Sequence, residues 1–151
     1  MQTVSRPEVG KLAPDFKATI TSGETIHLSD LRGRKVVLYF YPEDDTPGCT
    51  VESCGFRDVY QKIKDTGAEI LGVSVDDVKS HKKFTEKFSL PFPLVADVDK
   101  KITQSYGVLS DKAPKARRVT FLIDERGNVE RIFDPVKAAE HPSEILAALK
   151  V

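Results

Sequence analysis

Long apolar runs, net charge and abundant cysteine are all missing from this sequence. No stretch approaches the about 18 consecutive apolar residues of a membrane-spanning helix, and the first ten residues hold no apolar core of a secretion signal. Its 23 basic and 23 acidic side chains leave no net charge, so the electrostatic footprint of a nucleic-acid or anionic-membrane binder is missing. We therefore expect a cytoplasmic protein that binds neither nucleic acid nor membrane.

The sequence does contain enough apolar residues for one core. Its 151 residues are 40% hydrophobic, which predicts a single domain over residues 1–151 with no room for a second. Strand-like and helix-like patterns alternate along the chain, and the continuous apolar run at 36–41 is typical of a strand buried on both faces. The sequence therefore predicts an α/β domain with a central mixed sheet flanked by helices.

Periodicity and turn residues give the individual elements. An extended pattern interrupted by turn residues at 21–24 predicts an N-terminal β-hairpin, and residues 125–128 predict a second hairpin turn. The other predicted strands are residues 36–41, 70–75, 94–96, 119–124 and 129–133. The predicted helices run from Pro47 to a stop at Gly67, from Val78 to Phe88, from a cap at Asp99 to Tyr106, and from Ser143 to Lys150.

The first cysteine follows the apolar strand at residues 36–41 directly. Thr46 and Pro47 are typical of a helix N-cap and first helical residue, since a threonine hydroxyl can accept from the N3 amide and proline has no amide to leave unpaired. Cys49 is then the N3 residue, where unpaired backbone amides and the positive end of the helix dipole favour the thiolate. The segment therefore predicts thiol redox chemistry.

The second cysteine, Cys54, lies five residues further along the same predicted helix. Helical positions five apart have α-carbons about 8.7 Å apart, whereas a disulfide tolerates about 7 Å. A bridge from Cys49 to Cys54 therefore requires the first helical turns to unwind, which favours a redox cycle over a static structural bridge. A zinc site is a weaker alternative, because paired CxxC units are missing and no histidine lies near either cysteine in the sequence.

The same region carries the motif of a known family. The pattern Pro-x-x-x-Thr-x-x-Cys is present as Pro42, Thr46 and Cys49, and a further cysteine follows five residues on as Cys54. The segment that begins at Arg118 looks like the one bearing that family's active-site arginine. On these motifs, and over nearly its whole length, the chain resembles the peroxiredoxins, most closely the peroxiredoxin Q or bacterioferritin comigratory protein group.

The resemblance implies a thioredoxin-like fold with an N-terminal hairpin and a thioredoxin-dependent peroxidase. It implies that Cys49 is the peroxidatic cysteine, which attacks hydrogen peroxide or an alkyl hydroperoxide, and that Cys54 resolves the resulting sulfenic acid as an intramolecular disulfide. A thioredoxin-like or glutaredoxin-like reductant then reduces the bridge. No metal or organic cofactor is needed, and we expect a monomer.

Five further residues are candidates for the site. The Thr46 hydroxyl, the Gly48 and Cys49 amides and the Arg118 guanidinium are candidate donors to the peroxide oxygens as the O–O bond lengthens. Arginine suits this task because its fixed fork can hold sulfur and oxygen together. Pro42 is expected to shield the thiolate and shape the loop. Glu52 is expected either to hold an arginine in place or to be an exposed helix carboxylate.

Two other functions could use the same thiols. In a redox sensor or relay, one oxidation of Cys49 changes a surface that a partner protein recognises. The rate of oxidation and repeated turnover with a reductant would distinguish an enzyme from such a sensor. A disulfide exchanger would act on protein disulfides without peroxide, and the missing CxxC argues against it.

Four loop carboxylates are expected to be solvated or to cap helices rather than to bind a cation: Asp44, Asp45, Asp76 and Asp77.

Overall fold

A seven-stranded sheet carries the helices of this protein. The computed structural model describes residues 6–150, so the ends of the expected domain, residues 1–5 and 151, lie outside the described residues. The strands are β1 (Lys17–Ile20), β2 (Thr25–His27), β3 (Val36–Phe40), β4 (Glu69–Ser74), β5 (Leu94–Ala96), β6 (Val119–Ile123) and β7 (Val129–Phe133). The helices are α1 (Pro47–Asp65), α2 (Val78–Phe88), α3 (Lys101–Ser105) and α4 (His141–Leu149), with a 3-10 helix at Leu28–Leu31.

The strand order is β2-β1-β5-β4-β3-β6-β7. β4 pairs in parallel with both β3 and β5, because α1 and α2 return the chain to the same end of the sheet. β1 and β2 form the predicted N-terminal hairpin, and β6 and β7 form the second one. The predicted α/β fold with a mixed sheet is therefore confirmed.

The sheet separates two hydrophobic cores. Side chains of β3 alternate between them, with Val36, Leu38 and Phe40 in the first core and Val37 and Tyr39 in the second. The first core packs under α3, whereas the second packs under α1, α2 and α4. All five residues of β3 are buried, which explains the uninterrupted apolar run in the sequence. This strand is thus fixed on both faces, and the loop that leaves its carboxyl end starts from a rigid position.

Several predicted boundaries match the structure and others shift. α2, β5 and β7 have the predicted limits. α1 ends at Asp65, and Gly67 follows it with a φ of +89°, a left-handed conformation that glycine adopts without a Cβ clash. α4 begins at His141, two residues before the prediction.

No helix among residues 6–150 is both long enough and apolar enough to cross a membrane.

The predicted cap of the third helix is wrong. Asp99 is exposed and contacts the helix through the Lys101 amide, at 3.1 Å from its Oδ1. The residue at the N-cap itself is Lys100, which has a left-handed φ of +64° and contributes no side-chain cap. The helix therefore begins later than the carboxylate of Asp99 suggested.

Asp97 is the carboxylate that anchors α3. It is buried at the end of β5 and accepts hydrogen bonds from the amides of Ile102 and Thr103, at 3.1 and 2.7 Å, and from the Thr103 hydroxyl at 2.6 Å. Sequence periodicity could not identify this residue, because the capping carboxylate belongs to the preceding strand end and reaches forward over an intervening turn. The anchor is buried, and its loss leaves several donors without a partner.

We expect Asp97→Ala to lower the free energy of unfolding by about 3 kcal/mol, because it leaves buried hydrogen-bond donors at the start of a helix without an acceptor. Asp99→Ala is the matched control, and its effect should stay within about 0.5 kcal/mol because that carboxylate is exposed. Urea denaturation followed by circular dichroism measures both values. Equal losses in the two variants would contradict the assignment of the anchor.

Candidate active site

The carboxyl end of β3 leads directly into the segment that bears both cysteines. Thr46 is the N-cap of α1, with extended φ and ψ of −97° and 155°, and Pro47 is the first helical residue. Cys49 is therefore the third helical residue, as predicted, and its side chain is buried with the residue 1% exposed. A thiol at this position faces the amino end of a 19-residue helix, where the helix dipole favours negative charge.

The Thr46 hydroxyl does not perform the predicted capping. It donates a hydrogen bond to the carbonyl oxygen of Glu43, at 2.9 Å, and accepts none from the first turn of α1. The expectation that this hydroxyl caps the helix is therefore wrong. Because its proton points to Glu43, the oxygen offers lone pairs rather than a proton to a neighbouring group.

Arg118 reaches Cys49 from the neighbouring strand. It immediately precedes β6, and its Nη2 atom donates to Cys49 Sγ at 3.3 Å. Gly48 makes this approach possible, since a Cβ at that position would lie 2.9 Å from Arg118 Nη2. The two segments are far apart in sequence, and the antiparallel pairing of β3 with β6 brings them together. The predicted arginine and the predicted thiol are thus in contact.

Glu52 holds the other side of the same guanidinium. Its Oε1 atom accepts from Arg118 Nη1 at 2.6 Å, and the residue is fully buried. The interpretation of Glu52 as an exposed helix carboxylate is therefore wrong. Cys49 and Glu52 lie three residues apart on α1 and so share one helix face, which lets one arginine contact both.

Burial strongly affects the protonation of this pair. It raises the pKa of Glu52 to about 7, although the positive charge of Arg118 lowers it. The second carboxylate oxygen, Oε2, has no hydrogen-bond partner among residues 6–150. Burial lowers the pKa of Arg118, but Glu52 and Cys49 outweigh that effect and the pKa is raised, so the guanidinium stays charged.

Cys54 lies further along α1 and is not bonded to Cys49. Both thiols are free, and Cys54 is partly exposed whereas Cys49 is buried. Because both cysteines lie inside the continuous helix Pro47–Asp65, their five-residue spacing keeps them on different sides of it. The remaining predicted residue, Pro42, is partly buried at the start of the loop between β3 and α1. Contacts thus join Cys49, Glu52 and Arg118, with Gly48 against the arginine.

The loop carboxylates divide into two groups. Asp77 caps α2 by accepting from the Ser80 amide at 2.8 Å, as expected, and Asp45 forms an exposed ion pair with Lys87. Asp44 contradicts the expectation of a solvated or capping group, since its side chain is 4% exposed and pairs with His81 at 2.7 Å. Within residues 6–150, no three His, Cys, Asp or Glu side chains are grouped so that they could hold a metal ion.

The sequence patterns did not identify His81 as a candidate functional residue. The residue is fully buried in the first turn of α2, and it contacts the loop that precedes Cys49 through Asp44. The one available signal is a histidine on the apolar face of an amphipathic helix, three residues before Phe84. That pattern does not reveal which distant carboxylate the ring meets, because the sheet topology decides it.

The chain is similar to proteins whose family is known. A sequence model described as the AhpC/TSA family matches residues 9–132. The Peroxiredoxin Bcp of Bacillus subtilis is 42% identical over 149 residues, which cover 95% of this chain and 95% of that protein. The crystal structure of a cysteine-to-serine variant of PrxQ from Xylella fastidiosa has a TM-score of 0.92 and 31% identity, and the match covers 97% of each chain.

A further structure connects the likeness to an activity. The bacterioferritin comigratory protein of Xanthomonas campestris, whose structures address its alkyl peroxide reduction activity, is 35% identical with a TM-score of 0.89. The match covers 95% of this chain and 98% of that one. These likenesses confirm the predicted thioredoxin-like fold and the predicted class of enzyme. The chain therefore belongs to the AhpC/TSA family and, within it, to the peroxiredoxins of the Q/Bcp group.

Proposed function

We propose that this peroxiredoxin reduces hydrogen peroxide and alkyl hydroperoxides at Cys49, that Cys54 resolves the oxidised thiol, and that a thioredoxin-like or glutaredoxin-like dithiol protein is the reductant. The observation that carries the proposal is the position of Arg118, which donates to Cys49 Sγ at 3.3 Å while Glu52 holds its other nitrogen at 2.6 Å. A fixed cation beside a buried thiol at a helix N-terminus suits a nucleophilic sulfur.

In the first step, the Cys49 thiolate attacks one oxygen of the peroxide. A sulfur–oxygen bond forms as the O–O bond breaks, and the other oxygen leaves as hydroxide or alkoxide and takes up a proton. Water or an alcohol is released, and Cys49 becomes a sulfenic acid. The substrate is reduced by the two electrons that the sulfur loses.

Ionisation of the thiol alone does not account for fast reduction. An ordinary thiol with a pKa of about 8.5 is roughly 3% ionised at pH 7, so full ionisation gains at most about thirtyfold, or about 2 kcal/mol. The further stabilisation must fall on the charge that develops on the peroxide oxygens. The Arg118 fork lies close enough to Cys49 to supply it, and the amide of the preceding residue, Gly48, is a second candidate donor.

Thr46 has a different role in this proposal from the one that its sequence position suggested. Its hydroxyl proton is engaged by the Glu43 carbonyl, so its oxygen is available as an acceptor. An acceptor beside the thiolate can bind the O–H of the incoming peroxide and orient the oxygen under attack. Pro42 is partly buried at the start of the loop, and in this proposal its role is to limit the access of water to the sulfur.

The second step requires the start of α1 to unwind. The Cys54 thiol attacks the sulfur of the Cys49 sulfenic acid, the sulfur–oxygen bond breaks, and water leaves as the disulfide forms. The dithiol reductant then attacks this disulfide, is oxidised in turn, and restores both thiols. Cys54 is partly exposed, which makes this region accessible to a protein partner once the helix opens.

The two cysteines should separate the two steps. We expect Cys49→Ser to abolish peroxide reduction, and Cys54→Ser to keep the first oxidation but stop turnover with a dithiol donor. Rapid-quench mixing with hydrogen peroxide, followed by mass spectrometry, identifies the sulfenic acid and maps any disulfide. Rapid oxidation, a disulfide inside one chain and many turnovers with the donor would support the proposal that the protein is a catalyst. Oxidation at the rate of an ordinary thiol would contradict the proposed function.

We expect Arg118→Met to lower the second-order rate constant for Cys49 oxidation by about 100-fold or more, since one donor to developing charge is worth that much. Arg118→Lys should recover only part of the loss, because a lysine keeps the charge but not the fork. Arg117→Met is the matched control, since Arg117 points away to Asp134 and should leave the rate unchanged. An Arg118→Met rate equal to that of the control would remove this arginine from the reaction.

The raised pKa of Glu52 predicts a pH dependence of stability. The carboxyl titrates near its usual 4.5 when unfolded and at about 7 when folded, so between these values the folded state binds more protons. The stability contributed by the protonated form is complete below pH 4.5 and is lost as pH rises towards 7. Relative to Glu52→Gln, the unsubstituted protein should therefore lose at most roughly 3 kcal/mol of unfolding free energy over this interval.

Urea denaturation at several pH values between 4 and 8 measures this difference for the two proteins. Because all other carboxyl groups are shared, the difference between the two pH profiles isolates Glu52. Parallel profiles would show that Glu52 does not titrate in this range in the folded state.

A further inference from the structure

Asp44 is the centre of a buried hydrogen-bond cluster that the reaction itself does not use. Its carboxylate accepts from the Tyr41 hydroxyl at 2.6 Å, from the Ser80 hydroxyl at 2.7 Å and from His81 Nδ1 at 2.7 Å. Its backbone amide donates to Asp76 at 2.9 Å. The Asp44 side chain is 4% exposed and that of His81 is 0% exposed, so water does not satisfy these groups.

The hydrogen bonds of His81 fix its orientation. Its Nε2 atom lies 2.9 Å from the carbonyl oxygen of Val95, which can only accept, so Nε2 carries a proton. A second proton lies between Nδ1 and the Asp44 carboxylate, because the 2.7 Å contact between them requires a donor. The imidazole therefore links the loop before Cys49 to β5, an inner strand of the sheet whose first two residues are buried.

The loop that Asp44 anchors has an uncommon backbone conformation next to the anchor. Asp45 has a φ of +57°, a left-handed conformation that is uncommon outside glycine, although aspartate adopts it more readily than most residues. Such a conformation persists where the surroundings hold it in place, and it is concentrated at functional sites. Thr46 and Cys49 follow within four residues, so a change at Asp44 passes directly to the groups around the sulfur.

We propose that the buried pair of Asp44 and His81 is a positioning device for the peroxide site, which holds the loop 42–46 and the first turn of α1 in the geometry that reacts. The inference rests on the proposed function of Cys49. Asp44 and His81 are positioning residues, since they touch neither the sulfur nor the substrate-facing groups directly. Their effect on the reaction passes through the backbone of the loop.

The anchor also defines which part of the chain can move. Upstream of Cys49 the Asp44 cluster ties the loop to α2 and β5, and downstream the buried Ser53 and Tyr39 hydroxyls bond each other at 2.9 Å. The unwinding that brings Cys49 to Cys54 is then limited to the first turns of α1. Loss of the anchor should therefore impair the bimolecular reaction with peroxide more than the unimolecular formation of the disulfide.

Asp44→Ala tests this division, and Asp97→Ala is its matched control. Both carboxylates are buried and accept three hydrogen bonds, but Asp97 serves α3. We expect Asp44→Ala to lower the second-order rate constant for Cys49 oxidation by hydrogen peroxide by about 10- to 100-fold, while the first-order rate of disulfide formation changes less than about threefold. Asp97→Ala should leave both rates unchanged, because it affects stability alone.

Two substitutions of His81 keep the test decisive if Asp44→Ala does not fold. Asn places a donor near the Nδ1 position and can still bond Asp44, whereas Gln places its donor near Nε2 and reaches Val95 instead. We expect His81→Asn to keep the oxidation rate within about threefold and His81→Gln to lower it about tenfold. A role in stability alone would affect the two variants equally.

Rapid-quench mixing with hydrogen peroxide and mass spectrometry measures both steps, which suits a chain without tryptophan. Oxidation of folded Asp44→Ala at the unsubstituted rate, or equal rates in the two His81 variants, overturns the inference. Slow oxidation of the unsubstituted protein instead overturns the proposed function. The two failures are therefore distinguishable in one set of measurements.

Discussion

This site depends on one interaction, in which a single guanidinium donates to a thiol and to a buried carboxylate. Arg118 contacts Cys49 Sγ with one nitrogen and the buried Glu52 carboxylate with another, at 3.3 and 2.6 Å. An arginine with no carboxylate partner could rotate away from the sulfur, since its side chain has many rotamers. Glu52 removes that freedom, and Gly48 removes the Cβ that would block the approach. The pairing of β3 with β6 supplies the common frame for all of these groups.

The start of α1 must satisfy two opposing requirements under the proposed cycle. It must be ordered when peroxide reacts at Cys49, and it must unwind before Cys54 can reach the oxidised sulfur. The structure separates these demands in space. The loop before the helix is tied through Asp44 to His81 and β5, and the helix beyond Ser53 packs into the second core, so the segment that the proposed cycle requires to unwind lies between two anchored ones.

The sequence predicted those parts of the site that depend on local rules. The position of Cys49 in the first turn followed from Thr46 and Pro47, and the seven strands followed from apolar and turn patterns. The hydroxyl bond of Thr46 and the burial of Asp44 could not be predicted in this way. Each depends on a partner that the fold supplies, a nearby carbonyl in one case and the distant His81 in the other. Contacts between segments far apart in sequence are decided by sheet topology.

Glu52 shows why such a site is not built for stability alone. One of its carboxylate oxygens has no partner among residues 6–150, and burial raises its pKa to about 7. An apolar residue would avoid this cost of burial. It would also leave Arg118 without its anchor, and the cation beside Cys49 would lose its fixed position. Under the proposed function, the orientation of the arginine accounts for a carboxylate that is costly to bury, because orientation is what the proposed reaction at sulfur requires.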